Sequence, residues 1–167
     1  MNNIAYLSLG TNIGNRKNNL KAACNELRKN VSIDKISKVY ETEPVHYENQ
    51  DPFFNCGVQI TCNQDPFELL KLIKLIEKKI GRVKTKKNDP RVCDIDIIDF
   101  NGLVKNNTLL KLPHPRSHSR NFVLYPIKEI DPKWVHPVFK KNVDFLINEL
   151  SQNSRIEITR LRKSVII

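Results

Sequence analysis

The chain has 167 residues, room for one domain of ordinary size, and a hydrophobic fraction of 40%, enough for a real core. Lys and Arg number 28 against 18 acids, a formal net charge of +10, which points to an anionic partner: nucleic acid, anionic lipid or a phosphate-rich small molecule. No apolar run approaches the roughly 20 residues of a spanning helix, and the start MNNIAYLSLG lacks the basic stretch of a secretory signal, so a cytoplasmic protein with no membrane partner is expected.

Ile4 to Leu9 is a short apolar run ending at Gly10, which predicts a first strand. Apolar residues then recur at Leu20, Ala23, Cys24 and Leu27, the spacing of a helix with one buried face. Val31, Ile33, Ile36 and Val39-Tyr40 predict a second strand and Phe53 to Cys62 a third, with a polar loop from Glu43 to Asp51 between them. Asp65-Pro66-Phe67-Glu68 is a helix start: Asp65 can cap, Pro66 suits the first helical position and Glu68 completes a capping box. Leu69, Leu70, Ile73, Ile76 and Ile80 supply that helix's buried face, and Gly81 ends it. Pro90 to Phe100 predicts a fourth strand, followed by a tight hairpin turn at Asn101-Gly102. Asn121 to Ile130, with Pro126 inside, and Asn142 to Leu150 are expected to be helical, and Ile156 to Ile167 to add an edge strand. The order βαββαβ defines an α+β, ferredoxin-like core with helices packed on an antiparallel-containing sheet. No repeat or linker divides residues 1–167, so a single domain is expected. Cys24, Cys56, Cys62 and Cys93 lie in apolar segments without a C-x-x-C pair, which predicts buried free thiols.

The fourth strand raises a chemical question. Residues i and i+2 of a strand point the same way, so Asp94 and Asp96 share one face while Cys93, Ile95 and Ile97 share the other. Two adjacent carboxylates repel, and partial burial raises the cost. A divalent cation between them relieves both effects, and Mg²⁺ favours one or two carboxylates plus phosphate oxygens. Taken alone, D-x-D is more often a pair of surface acids matched with Lys or Arg.

The surroundings favour phosphate. The segment Gly81 to Arg91 holds five cations and joins the capped helix to the acidic strand. Arginines there can bind phosphate oxygens bidentately, although a solvated charge run or an RNA-binding loop has the same composition. No Walker A spacing is present. Leu112 to Phe122 concentrates His114, Arg116, His118 and Arg120; without a neighbouring Cys or acid it suits phosphate contact better than zinc. Phe53-Phe54-Asn55 places aromatics beside an amide, which suits either core packing or a flat heterocycle read along its edge.

These pieces, in this order, resemble the 6-hydroxymethyl-7,8-dihydropterin pyrophosphokinases of folate synthesis. The likeness runs from about Ala5 to about Pro132. It rests on Leu7-Ser8-Leu9-Gly10-Thr11-Asn12, on Val39-Tyr40-Glu41-Thr42-Glu43-Pro44-Val45, and on Phe53-Phe54-Asn55 and Glu77 with Gly81-Arg82. Its most specific part is the P-R-x-x-D-x-D-I of Pro90 to Ile97, closed by Pro113-His114-Pro115-Arg116, Arg120 and Phe122-Val123-Leu124. The set also lacks the Gly-rich aromatic signature of a sheet-face RNA reader, so no nucleic-acid partner is expected.

The resemblance implies transfer of the β,γ-diphosphate of ATP to the pterin's hydroxymethyl oxygen, with release of AMP. It implies two Mg²⁺ held by Asp94 and Asp96, and Arg82 and Arg91 beside those acids in the catalytic set. It implies pterin contacts at Thr42, Pro44, Val45, Phe53, Asn55 and Phe122. It implies ATP contacts at Glu77, Arg82, Lys84, Arg91, Ile97, His114, Arg116 and Arg120. A monomer is expected, with other folate-pathway enzymes as the further partners to consider. Lys84 stands where an Arg is often found, Lys87-Asn88-Asp89 replaces an Arg-Trp-Gly type of ending, and the basic loop is one residue short. Looser closure over the substrates follows from those departures.

Overall fold

The computed structural model describes residues 2–44, 51–82 and 91–161. Strand β1 (Asn3–Thr11) is followed by helix α1 (Arg16–Arg28), β2 (Ser32–Ile36), β3 (Tyr40–Thr42), β4 (Phe53–Cys62), α2 (Pro66–Lys79) and β5 (Asp94–Phe100). The strands form an antiparallel sheet in the order β5-β1-β4-β3-β8, with β2 also on β4; β8 (Ile158–Arg160) is the edge strand expected in the tail. β4 therefore lies between β1 and the β2–β3 edge, as the βαββαβ order requires.

The predicted second strand is two pieces on one edge of β4. Between them the Ser37 N–H donates to the Gly57 carbonyl, and the Ser37 hydroxyl oxygen accepts the Gly57 N–H, both at 2.9 Å. A side chain thus stands in for a backbone acceptor, and the regular ladder breaks there. Gly57 also receives the far face's main helix: a Cβ at this position would sit 2.8 Å from the Cβ of Pro126.

Strand alternation sends residues to two different layers. Leu7, Leu9, Cys56, Val58, Ile60, Ile95 and Ile97 enter the larger core under α1 and α2. α1 contributes Leu20, Ala23, Cys24 and Leu27, the positions its spacing predicts. α2 starts on the expected capping box, with both reciprocal hydrogen bonds present, and buries Leu69, Ile73, Ile76 and Glu77. All four cysteines are buried free thiols. On the other face, α3 (Asn121–Ile130, with Pro126 inside), α4 (Val143–Glu149) and the segment between them cover Ile98 and Tyr6 with Val123, Leu124, Ile127, Trp134 and Leu146.

The turn at Asn101-Gly102 forms, with φ of 51° and 67°, but it does not make a hairpin. The strand after it, β6 (Lys105–Asn106), pairs with β7 (Lys111–Leu112) in a separate two-stranded sheet. The outer edge of β5 is met instead by the His114 N–H, which donates to the Ile98 carbonyl at 2.8 Å. That contact brings the Pro-His-Pro-Arg segment alongside the acidic strand. No described helix is long and apolar enough to cross a membrane.

Candidate active site

α3 and α4 cover only part of their face. The rest, at the start of β5, is polar. Asp94 lies opposite Gly10 and Asp96 opposite Ser8. Gly10 in turn faces Asn55 on β4, and Phe53 faces Thr42 on β3. Directly opposed residues of an antiparallel pair share a face, so these side chains form one floor. Asn55 and Thr42 are both buried, and the Asn55 amide donates to the Thr42 hydroxyl at 2.9 Å. A Cβ on Gly10 would press on Asn55 Oδ1 at 3.0 Å, so a larger residue there would dislodge the amide.

Three arginines and a histidine surround the acid pair unevenly. Asp94 is gripped on Oδ1 by Arg82 and on Oδ2 by Arg91, the latter at 2.6 Å. This is the matched-acid arrangement, realised at one of the two carboxylates. Burial raises the Asp94 pKa, but Arg82 and Arg91 outweigh it and hold the carboxyl below its ordinary value. Asp96 has only looser neighbours, Arg120 at 3.8 Å and His114 at 4.0 Å. Burial, then the charge of Asp94, pushes its carboxyl up to about 6.

The groups around the acids are themselves held. Glu77 projects from α2 and is 2% exposed. Its Oε1 accepts from Arg82 and from the Ile95 N–H at 2.9 Å, and its Oε2 accepts from Lys74 at 2.8 Å. Asn12 grips Arg91 by the backbone: its side-chain oxygen accepts the Arg91 N–H at 2.9 Å and its own N–H donates to the Arg91 carbonyl. The Arg116 N–H donates to His114 Nδ1 at 3.2 Å. His114 is pushed down to about 4, by burial first and then by Arg120 and Arg116. It is therefore neutral at physiological pH, carries its hydrogen on Nε2 and presents an N–H donor toward Asp96.

Phe122 sits in the first turn of α3, with the Arg120 guanidinium 5.3 Å from its ring centre. Phe53 and Phe122 are both half-buried, and neither ring stacks on another aromatic ring among the described residues. Phe54 goes to the opposite side, against the larger core, with Arg16 over its ring at 4.0 Å. Arg16 also donates to the Pro52 carbonyl at 2.6 Å, which fixes the approach to Phe53.

Of the sequence-predicted residues, Arg82, Arg91, Asp94, Asp96, His114 and Arg120 are brought together, with Glu77 beneath them. Thr42, Phe53 and Asn55 share the adjoining floor. Pro44 lies just beyond β3, and Arg116 is exposed at the rim. The Ile97 side chain is buried in the core on the opposite face of β5, so it does not face the acids. Val45 and Lys84, and most of the basic loop, lie outside the described residues. Sequence reasoning missed the supports: Asn12, Lys74, Arg16, and a buried pair, Ser117 and His136. Asn12 lies in a motif that marks the family, but nothing in a lone His136 signals its position.

The α+β sheet thus carries an acid pair ringed by arginines beside a polar and aromatic floor, an arrangement whose charges and shape suit a polyanion next to a flat ring. The chain belongs to the 7,8-dihydro-6-hydroxymethylpterin-pyrophosphokinase family, whose model matches residues 6–132. It is 45% identical over 132 residues to the 2-amino-4-hydroxy-6-hydroxymethyldihydropteridine pyrophosphokinase of Bacillus subtilis, covering 78% of this chain and 79% of that one. The enzyme of the same name from Aquifex aeolicus is 40% identical, over 81% and 85% of the two chains. The folic acid synthesis protein FOL1 of Dictyostelium discoideum is 43% identical over 81% of this chain, which spans only 21% of that protein. Among solved structures, Plasmodium falciparum HPPK-DHPS with pteroate shares the fold at a TM-score of 0.74 and 19% identity, over 89% of this chain and 44% of that one.

Proposed function

We propose that the chain is a single pyrophosphokinase domain that moves the β,γ-diphosphate of ATP to the hydroxymethyl group of 6-hydroxymethyl-7,8-dihydropterin. The hydroxymethyl oxygen bonds to the β-phosphorus, the bond from that phosphorus to the α-phosphate oxygen breaks, AMP departs with that oxygen, and the hydroxyl proton is released to water. The observation that carries this reading is the juxtaposition of Asp94 and Asp96 with Arg82, Arg91, His114 and Arg120.

The donor set fits magnesium. No group of three or more His, Cys, Asp or Glu able to hold a metal is gathered among the described residues. A pair of hard carboxylates suits an ion that takes its remaining ligands from water and phosphate. Asp94 and Asp96 would hold Mg²⁺, which when bound neutralises charge on the triphosphate. The protein's own part is alignment and electrostatics. Arg82 and Arg91 exchange Asp94 for phosphate oxygens, which suits guanidinium forks. His114 and Arg120 bind beside Asp96, where His114 gives a neutral N–H. Phe53 and Phe122 take the pterin faces, and Asn55 with Thr42 takes its polar edge. Glu77 and Arg116 border the nucleotide, and Pro44 borders the pterin. On this reading the enzyme acts as a cytoplasmic monomer, with another folate-pathway enzyme as the further partner to test.

The test is product identity. Incubation with ATP, Mg²⁺ and the pterin alcohol should release AMP in step with pterin diphosphate. Release of ADP, or binding of both substrates without turnover, would overturn the assignment.

A further inference from the structure

We propose that His136 and Ser117 form a positioning relay that sets the His114 segment against β5, and so fixes the nucleotide end of the site. His136 is 2% exposed and Ser117 is fully buried. The His136 Nδ1 accepts the backbone N–H groups of Val138 and Phe139, both at 3.2 Å. That leaves Nε2 to carry the hydrogen, which it donates to Ser117 Oγ at 3.2 Å. The Ser117 hydroxyl passes its own hydrogen to the His114 carbonyl at 2.8 Å, and that carbonyl also accepts the Ser117 N–H at 2.9 Å. The His114 N–H completes the chain on the Ile98 carbonyl at 2.8 Å, on the strand that bears Asp96.

Burying a hydroxyl and an imidazole is unfavourable unless each polar atom is bonded, and a satisfied network locks one arrangement. Here the donors and acceptors are matched in one direction only, so the relay specifies a single orientation. What it orients lies outside helix and strand: His114 precedes the short 3-10 turn Ser117–Ser119. Arg120, next after that turn, reaches the same Asp96 oxygen as His114 does. The His136 ring bonds to Ser117 Oγ, and through Ser117 it acts on the His114 segment. The inference rests on the nucleotide role given above to His114 and Arg120.

The experiment pairs calorimetry of a non-hydrolysable ATP analogue with Mg²⁺ against amide hydrogen exchange. Ser117→Ala should weaken analogue binding about tenfold, the cost of one buried hydrogen bond. It should speed exchange at the His114 amide and leave pterin affinity unchanged. His136→Gln, whose side-chain N–H₂ can replace Nε2–H, should recover most of the loss, whereas His136→Ala should not. Leu27→Ala, in the opposite core, lowers stability without touching the relay and should leave analogue affinity intact. Wild-type affinity and exchange in Ser117→Ala would overturn the relay. So would losses of both ligands in proportion to lowered stability. A wild type that binds no nucleotide, yet shows faster His114 exchange on Ser117→Ala, would instead sink the functional reading and leave the relay standing as a loop anchor.

Discussion

The two faces of one sheet have been put to opposite uses. Under α1 and α2 the inward positions of the central strands are apolar from Leu7 and Leu9 to Val58, Ile60, Ile95 and Ile97, and the buried hydroxyl at the end of β1, that of Thr11, is bonded to Asn19 of α1. On the reverse of the same strands, α3 and α4 close over Ile98 and Tyr6 but leave Asp94, Asp96, Ser8, Asn55 and Thr42 as a polar floor. Strand alternation lets one segment, Cys93 to Ile97, serve both: its odd positions anchor the core and its even positions face the chemistry. The closed face supplies the rigidity, and the open one can then hold like charges close together. Removing a group from one face should therefore spare the property that belongs to the other.

The largest effect should come from the open face. Asp94→Ala or Asp96→Ala should lower AMP release by about a thousandfold or more, the scale of lost charge stabilisation at a phosphoryl centre, while circular dichroism and the melting transition stay those of a folded protein. Near-normal turnover in both would remove the acids from the mechanism. The mirror experiment acts on the closed face. Ile73, on the inner face of α2, is fully buried, and Ile73→Ala should cost about 2–5 kcal/mol in denaturant unfolding. Turnover per folded molecule should hold. A fall in turnover without a fall in stability would mean that the two faces are not separable. A finer cut distinguishes the substrates within the open face. Phe122→Ala should weaken pterin binding about tenfold, near the value of one aromatic stack, and change ATP affinity less. Equal losses measured by calorimetry would show that Phe122 only shapes the start of α3 under Arg120.

What could be read ahead of the structure divides along the same line. Local rules with strong signals held: the capping box at Asp65 and Glu68, the bounds of β4, the Leu20 to Leu27 stripe, and Asp94 and Asp96 on a face of their own. The misses came where a tertiary contact replaced a local one. A serine hydroxyl interrupts the edge strand at Ser37. The Asn101-Gly102 turn keeps its φ angles but yields the edge of β5 to His114. Just before that turn the β1–β5 register slips, so Asp99 joins Ile98 on the α3 side, bonded to Trp134, and Phe100 turns into the larger core. The first row of the site was present in motif order, and Asn12 stood in the opening motif without its role being visible. Lys74, Ser117 and His136 act through backbone groups or through other side chains, and neither leaves a spacing to detect.

The smallest effect is the most specific to the open face. Burial and the neighbouring charge of Asp94 push Asp96 up to about 6, against about 3.9 in an unfolded chain. Folding thus favours the protonated carboxyl. That advantage is complete below the unfolded value and is lost as pH rises through about 6. At higher pH the protein folds around a carboxylate that it would hold more easily as a neutral group. Asp96→Asn should accordingly melt a few degrees above the wild type at about pH 8, and the two melting curves should converge as pH falls to about 4. The gain should be modest, because a third of the Asp96 side chain reaches solvent and water screens the repulsion. Equal melting at both pH values would mean that Arg120 already neutralises Asp96. A rise at high pH, together with lost AMP release, would locate in one carboxylate the charge repulsion that the protein tolerates and that its substrate complex relieves.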